Sequence, residues 1–347
     1  EAIETRDRHL DFMLGVMQYS PTRMFGTESL ELLNEIESEH DNLRIALEWA
    51  AENHPDKAVK LAFGAGGFWT IRDFNAEAQF WCSTILRKTE SLSDLDEDRA
   101  RLYSLLGWLY MTLGEHKKAR AASEQAIALG EKQNDFYTIS RAYAIVGLAS
   151  CFLGDFPTAV PAAEKAEQIA REHDLIAELS FILSSRAQLE FIGAGDLLKA
   201  RNSVFEASEL VRKAGFIWAS TFMDIGMGHI AAVMGDLETA RAAFRRSGET
   251  AKQLGNKRAE LSSQSDFAHV LRQHGELDEA LTIYKDVLPK WKDLGHRSAV
   301  AHVTECIGFI LIRKEEPERA ILLLGAANAL REAINSEMTS MEKEEHA

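Results

Sequence analysis

Eleven histidines, three cysteines and a scatter of arginines are the residues of this chain that could do chemistry. They match no catalytic or cofactor pattern. There is no G-x4-G-K-[ST] cradle for phosphates, and no C-x2-C, H-E-x2-H, EF-hand string or G-x-S-x-G elbow. The nearest glycine cluster, Phe63-Gly64-Ala65-Gly66-Gly67-Phe68, lies in an apolar helical stretch with no strand before it, so it reads as close helix packing. The histidines are scattered, which favours surface or core places over a metal site. Three of them have related spacing. His229 and His269 each follow a small residue, Gly228 and Ala268, and His302 stands six before Gly308. A row of imidazoles there would bind an acidic group or sense pH. Cys82, Cys151 and Cys306 are odd in number, widely spaced and set in apolar helical segments. They read as reduced core or groove thiols of a cytosolic protein. The expectation is therefore no catalytic residue, no metal and no cofactor. An enzyme would need residues brought together only in space, and the sequence gives that no support.

What positions these residues is a pattern written six times between Arg101 and Ile334. Gly107, Gly147, Gln188, Gly228, Ala268 and Gly308 each stand twelve residues before Ala119, Ala159, Ala200, Ala240, Ala280 and Ala320. Successive copies start 40 residues apart, with one step of 41. A turn lies between the two small positions: LGEH at 113–116, LGDF at 153–156, AGDL at 194–197, MGDL at 234–237, HGEL at 274–277 and KEEP at 314–317. Apolar or small residues recur at three and four on each side of the turn, as in Leu102, Tyr103, Leu106, Gly107 and Tyr110, which predicts two amphipathic helices per copy. Glycine ends the first helix because it takes a left-handed cap without a Cβ clash, and the Asp or Glu after it suits the positive start of the second. The small residues let the paired helices cross closely. No pair buries its apolar face alone, so copies must stack, and the fold class is an all-α solenoid.

The run Tyr103-x2-Leu106-Gly107-x2-Tyr110, then Ala119, resembles the tetratricopeptide (TPR) signature, with Tyr where Trp is usual. The period of 40 exceeds the ordinary repeat of about 34, and the extra residues are expected to lengthen the second helix and the connection after it. The resemblance implies a right-handed superhelix with the first helix of each pair lining a concave face. Counting from the small residue, it implies that the groove is lined by Arg101, Trp108, Thr112, Arg141, Phe152, Phe222, His229, Ser262, His269, Gln273, His302, Phe309 and Arg313, with Arg272 and Cys151 beside them. Mixed arginine and aromatic surfaces have the composition of binding hot spots. The Lys and Asn set with which the family clamps peptide C-terminal carboxylates is not found.

The first 54 residues are not a copy of the repeat. Two helices are expected, about 2–19 and 28–53, split by a turn at Ser20-Pro21. Residues 55–99 hold a degenerate helix pair, with Gly67 standing 40 before Gly107, and a connector with the acidic run Asp94, Asp96, Glu97 and Asp98. Residues 100–334 hold the six copies, and 335–347 form a short polar, acidic tail. The string Glu-x-Asp-Asn-Leu-Arg-x-Ala-Leu-x-Trp at 39–49, Phe68-Trp69, Glu77 and Trp81, and the close Leu323-Leu324-Gly325-Ala326-Ala327-x-Ala329-Leu330-Arg331 resemble the sensor arm of bacterial signal-transduction ATPases of the STAND class, which are fused to LuxR-type or antibiotic-regulator-type DNA-binding domains or to adenylate cyclase domains. Asp73 stands where that family often has Gly.

The 347 residues carry 39 basic and 54 acidic side chains, a net charge of −15. Such a chain is a poor nucleic-acid or membrane-surface binder as a whole. No signal peptide or bilayer-spanning apolar run is seen. The chain begins at Glu1 and reads as a piece of something longer, whose ATPase and DNA-binding domains would be partners within one polypeptide. Three functions follow in order of expectation: a cytoplasmic, non-catalytic sensor module binding a peptide, protein or small effector; a free-standing TPR scaffold; and an enzyme built on a solenoid. Self-association through the N-terminal segment is also expected, because a truncated stack exposes an apolar end.

Overall fold

The computed structural model describes residues 1–18, 23–24, 26, 28–192 and 196–334. The Ser20-Pro21 turn, Ala194 and Gly195 of the third turn and the acidic tail lie outside the described residues. Among the described residues no strand occurs. The chain divides into two compact units, Glu1–Met223 and Asp224–Ala347.

The first unit opens with α1 (Ala2–Met17), α2 (Ser29–Ser38), α3 (His40–Asn53), α4 (Pro55–Ile71) and α5 (Asn75–Lys88). The single helix expected over 28–53 is therefore two, broken at Glu39, whose φ of −100° and ψ of 8° leave the helical region. The string at 39–49 folds the segment together. Leu43, Ala46, Leu47 and Ala50 are its buried stripe. On its polar edge Glu77 of α5 accepts from Arg44 Nε and Nη2 at 3.0 and 2.6 Å and lies 3.0 Å from His40 Nε2. Trp49 Nε1 donates to Asp7 Oδ1 at 2.9 Å. The glycine cluster is a packing site, as read. A Cβ on Gly64 would meet the Met17 backbone oxygen at 3.0 Å, and one on Gly66 would meet Leu105 at 2.7 Å.

The repeats follow as α6 (Asp96–Thr112) with α7 (His116–Gln133), α8 (Phe136–Phe152) with α9 (Phe156–Glu172), and α10 (Ile176–Ile192) with α11 (Leu197–Ala214). The acidic run Asp96-Glu97-Asp98 is the first turn of α6, after a 3-10 turn at Ser93–Leu95, where carboxylates favour the positive helix end. Helix α12 (Ile217–Val233) runs across the division. The second unit continues with α13 (Leu237–Gln253), then α14 (Lys257–Gln273) with α15 (Leu277–Asp293), and α16 (Arg297–Arg313) with α17 (Pro317–Ile334).

The 40-residue period does not come from a long second helix. Both helices of a copy run to 17 or 18 residues, about 25 Å each. The links after α7, α9, α13 and α15 are two or three residues. Each copy is two nearly equal halves, and ten of the twelve halves end on a left-handed residue among the described residues: Gly114, Gly154, Gly235, Gly275 and Glu315 after first helices; Asn134, Asp174, Gly215, Gly255 and Gly295 after second ones. The acidic caps act as read at Asp155, Asp196 and Asp236, whose side chains accept the backbone N–H three residues on. Glu115 and Glu276 make no such bond.

The small positions do hold paired helices close. A Cβ on Gly107 would meet Ser123 Oγ at 2.3 Å and the Ala119 carbonyl at 3.3 Å. On Gly147 it would meet Ala159 O and Ala163 N, both at 3.2 Å. In the second unit Gly228 receives the Phe244 ring and Gly308 receives Leu324. The third copy corrects the sequence register. Ala187, not Gln188, is the twelfth residue of its first helix, as Gly147 is of α8, and Ala187 is buried where Gln188 is not. The residue behind the 41-step falls between the helix ends at Ile192 and Leu197.

Gly147→Val should cost about 1–3 kcal/mol, because two backbone atoms that cannot move aside stand in its way. Gly325→Ala, with nothing within 4 Å of its Cβ, should gain about 0.5–1 kcal/mol from helix propensity alone. Chemical denaturation of the two variants measures both signs.

Candidate functional site

In the first unit the first helices of four successive copies bring aromatic side chains together. Trp108, one residue past Gly107 on α6, is 7% exposed. Its ring stands edge-on to Phe181 of α10 at 5.2 Å and to Phe222 of α12 at 6.2 Å. Trp218, one turn before Phe222, meets that ring edge-on at 4.8 Å. Tyr110 and Phe152 pack against the same cluster, floored by Met111, Ile145 and Leu148. The His116 ring stacks on Phe152, 4.8 Å away and 10° from parallel. Edge-to-face pairs of this kind are worth roughly 0.5–1.5 kcal/mol each beyond their burial. The polar contacts of the cluster are incomplete: among the described residues Trp108 Nε1 is buried and has no hydrogen-bond partner.

The arginines at the edge are engaged. Arg141 of α8 lies over the Phe181 ring at 5.0 Å and donates from Nη1 to both oxygens of Glu178 at 3.1 Å. Arg101 of α6 donates to Asp135 at 3.0 Å and to Glu97 at 2.7 Å. Trp108, Arg141, Phe152 and Phe222 are thus brought together, while Arg101 ties α6 to the start of α8. Two members of the cluster were missed. Phe181 is 40 residues after Arg141 and would have been found by counting from Ala187. Trp218, the second residue of its helix, carries no signal in the repeat.

In the second unit the expected histidine row is half assembled. His269 of α14 and His302 of α16 have ring centres 6.1 Å apart. His229 turns to other groups: its Nε2 is 3.9 Å from Asp266, and its ring is edge-on to Phe244 at 5.1 Å. Arg272 is 5% exposed, lies over Phe309 at 5.4 Å and donates to His269 Nδ1 at 3.3 Å. Arg313 donates to the Arg272 carbonyl at 2.9 Å, and Gln273 is exposed. Beneath the imidazoles lies Cys306, its Sγ 3.6 Å from His302 Nε2. All three cysteines are free and buried. Burial pushes the Cys82 thiol well up and the Cys151 thiol to about 11. At Cys306 burial acts the same way but is outweighed by His302, His269 and Arg272, which bring it down to about 6.

Close-packed helix pairs repeating every 40 residues, with their site side chains on the first helices, define a TPR array. The chain belongs to the family of MalT-like TPR regions, whose model matches residues 102–293. Comparison with curated proteins gave no match. Among solved structures, the chain is similar to a Rap protein complexed with competence and sporulation factor, at a TM-score of 0.65 and 12% identity over 96% of this chain and 99% of that one. It is similar to the Rap conjugation gene regulator of plasmid pLS20 in complex with the Phr* peptide, at 0.62 and 14% over 95% and 97%. A STAND protein with a TPR sensor, PH0952 from Pyrococcus horikoshii, matches at 0.55 and 16% over 87% of this chain and 46% of its own. At these identities the likeness is one of fold. Among the described residues no helix is long and apolar enough to cross a membrane.

Burial holds His116 below its ordinary pKa. The folded state therefore binds its proton later than the unfolded chain does, and the stability that neutral His116 contributes is lost as pH falls below about 6.5 towards the folded value. His116→Phe keeps the stack on Phe152 and removes the titration. Its unfolding midpoint should fall less than that of the parent chain between pH 7.5 and 5, in paired denaturant titrations.

Proposed function

We propose that the chain is a non-catalytic sensor module of a STAND-type signal-transduction regulator, and that it binds a peptide or an apolar effector on the aromatic cluster of its first unit. The observation that carries this is Trp108: a buried indole N–H without a partner among the described residues, in one cluster with Phe181, Phe222 and Trp218. An unpaired buried donor costs the free protein roughly 1–3 kcal/mol, and a ligand acceptor placed there recovers it. Large rigid rings offer contact area at little entropic cost, which suits an anchor side chain of a peptide. Because Arg141 and Arg101 already face carboxylates, apolar contact and one hydrogen bond supply the affinity, and charge plays the smaller part. The similarity to Rap proteins solved with peptides supports a peptide as ligand, and the family and the STAND neighbour support the regulatory setting. Binding would act on an attached ATPase only through different affinity for its two states.

A displayed library of random linear peptides, selected on the chain and counter-selected on the Trp108→Ala/Phe222→Ala double variant, tests the site. Enriched peptides should share an aromatic or aliphatic anchor. By calorimetry they should lose at least about ten-fold in affinity to Phe222→Ala. They should lose roughly five-fold to Trp108→Phe, which keeps the ring and removes the donor. No enrichment, or affinities untouched by both changes, would sink the reading. A reading frame in the gene without an upstream nucleotide-binding segment would leave a free-standing scaffold in place of the ATPase arm.

A further inference from the structure

We propose that His269, His302 and Cys306 form a three-ligand site for one divalent transition-metal ion of the zinc class. One ligand atom from each lies within 4.8 Å of the other two. The edge from Cys306 Sγ to His302 Nε2 is 3.6 Å. A tetrahedral ion with Zn–S near 2.3 Å and Zn–N near 2.0–2.1 Å needs an S-to-N edge of about 3.5 Å, so this pair already stands at coordination distance. The two are i and i+4 on α16, the spacing that puts two ligands on one helix face. His269 arrives from α14, the first helix of the preceding copy. Its ring and that of His302 are half-buried, so side-chain rotation closes the remaining edges.

The donor set fits the class. One thiolate and two imidazoles suit a borderline-soft ion such as Zn2+, and Ca2+ or Mg2+ would want oxygen. Cys306 is 1% exposed and set by Tyr284, Ile307 and Ile310 in the core of the unit, so its sulfur is held in place. The Tyr284 hydroxyl faces Cys306 and Arg272 but meets no partner at hydrogen-bonding geometry among the described residues. It is placed to donate to a bound thiolate as an outer partner. The fourth position falls to water or to a donor atom of a ligand, the arrangement of an open zinc site.

Arg272 is the competitor. Its guanidinium donates to His269 Nδ1 at 3.3 Å, beyond the best range for such a bond. In the metal-free chain its charge acts on Cys306. The ion takes over that role, and Arg272 keeps its place over the Phe309 ring. Each ion bound ties α14 to α16, so occupancy stiffens two successive copies of the second unit. The proposal stands apart from the peptide site, which uses residues of the first unit only.

Cobalt(II) is the probe, because a thiolate ligand gives it a charge-transfer band and four-coordination gives it intense d–d bands. The reduced, metal-stripped full chain should bind one equivalent with both signatures, and Zn2+ should bleach them. Cys306→Ser should abolish the charge-transfer band, while Cys82→Ser and Cys151→Ser leave it intact. His302→Gln, at a half-buried position that tolerates the change, should weaken binding by more than the roughly 10–100-fold that loss of an outer partner costs. Arg272→Met should tighten binding severalfold. No charge-transfer band in the parent chain, or a band that survives both Cys306→Ser and His302→Gln, overturns the proposal.

Discussion

In the first two copies the paired helices touch through backbone. Where Gly147 crosses Ala159 and Ala163, a single added carbon would stand 3.2 Å from a carbonyl oxygen and from an amide nitrogen. Such a contact has no slack, since protein interiors are packed to crystal density. It fixes how far each first helix is rotated about its own axis, and that rotation decides which side chains share a face. Trp108 lies one residue past its small neighbour and Phe222 six before its own. The two rings meet edge-on at 6.2 Å. Loosening one crossing would turn the helix and carry its site residue away, well before the helix itself melted.

The same lattice of positions carries different chemistry in the two units. In the first, the places six before and one after the small residue are filled by Arg141, Phe181, Phe222 and Trp108, giving a cluster of rings whose edge charges are neutralised by Glu178 and Asp135. In the second, the same places hold His302, His269 and His229, and a thiol rises beneath the first two. A repeat array permits this because each helix crossing is made within its own copy, so a substitution at one site face leaves the next crossing intact.

The repeat, its turns and the small residues at the crossings were legible in the sequence because each has a local cause that recurs: a left-handed cap, a helix-start carboxylate, a missing side chain. Errors came where two solutions satisfy the same pattern. Gln188 keeps the distance of twelve to Ala200, yet Ala187 keeps its place in the helix, and only helix ends distinguish an extra residue in a turn from one in a helix. Glu39 breaks 28–53 by its dihedrals alone, with no proline or glycine there to announce it. The even division of the 40-residue period depended on where helices stop, which caps decide residue by residue. The site residues were legible as positions, and their partnerships were not. His229 shares its register with His269, but Asp266 and Phe244 lie nearer to it. Cys306 was read only as a core or groove thiol because an i, i+4 relation to His302 means little until a second imidazole arrives from another copy.

A net charge of −15 and the arginines of the first helices invite a reading in which charge recognises the ligand. Their geometry argues otherwise. An arginine that donates to both oxygens of a buried carboxylate, as Arg141 does to Glu178, must leave that carboxylate uncompensated in order to serve a ligand, and breaking such a pair on one side costs several kcal/mol. A ligand carboxylate would have to exceed that cost. The Trp108 N–H has no partner among the described residues to abandon, so an acceptor brought to it is nearly all gain, limited only by the acceptor's own loss of water. With Arg141 and Arg101 committed to carboxylates, the Trp108 indole nitrogen is one of the buried groups of the first unit left without a partner among the described residues.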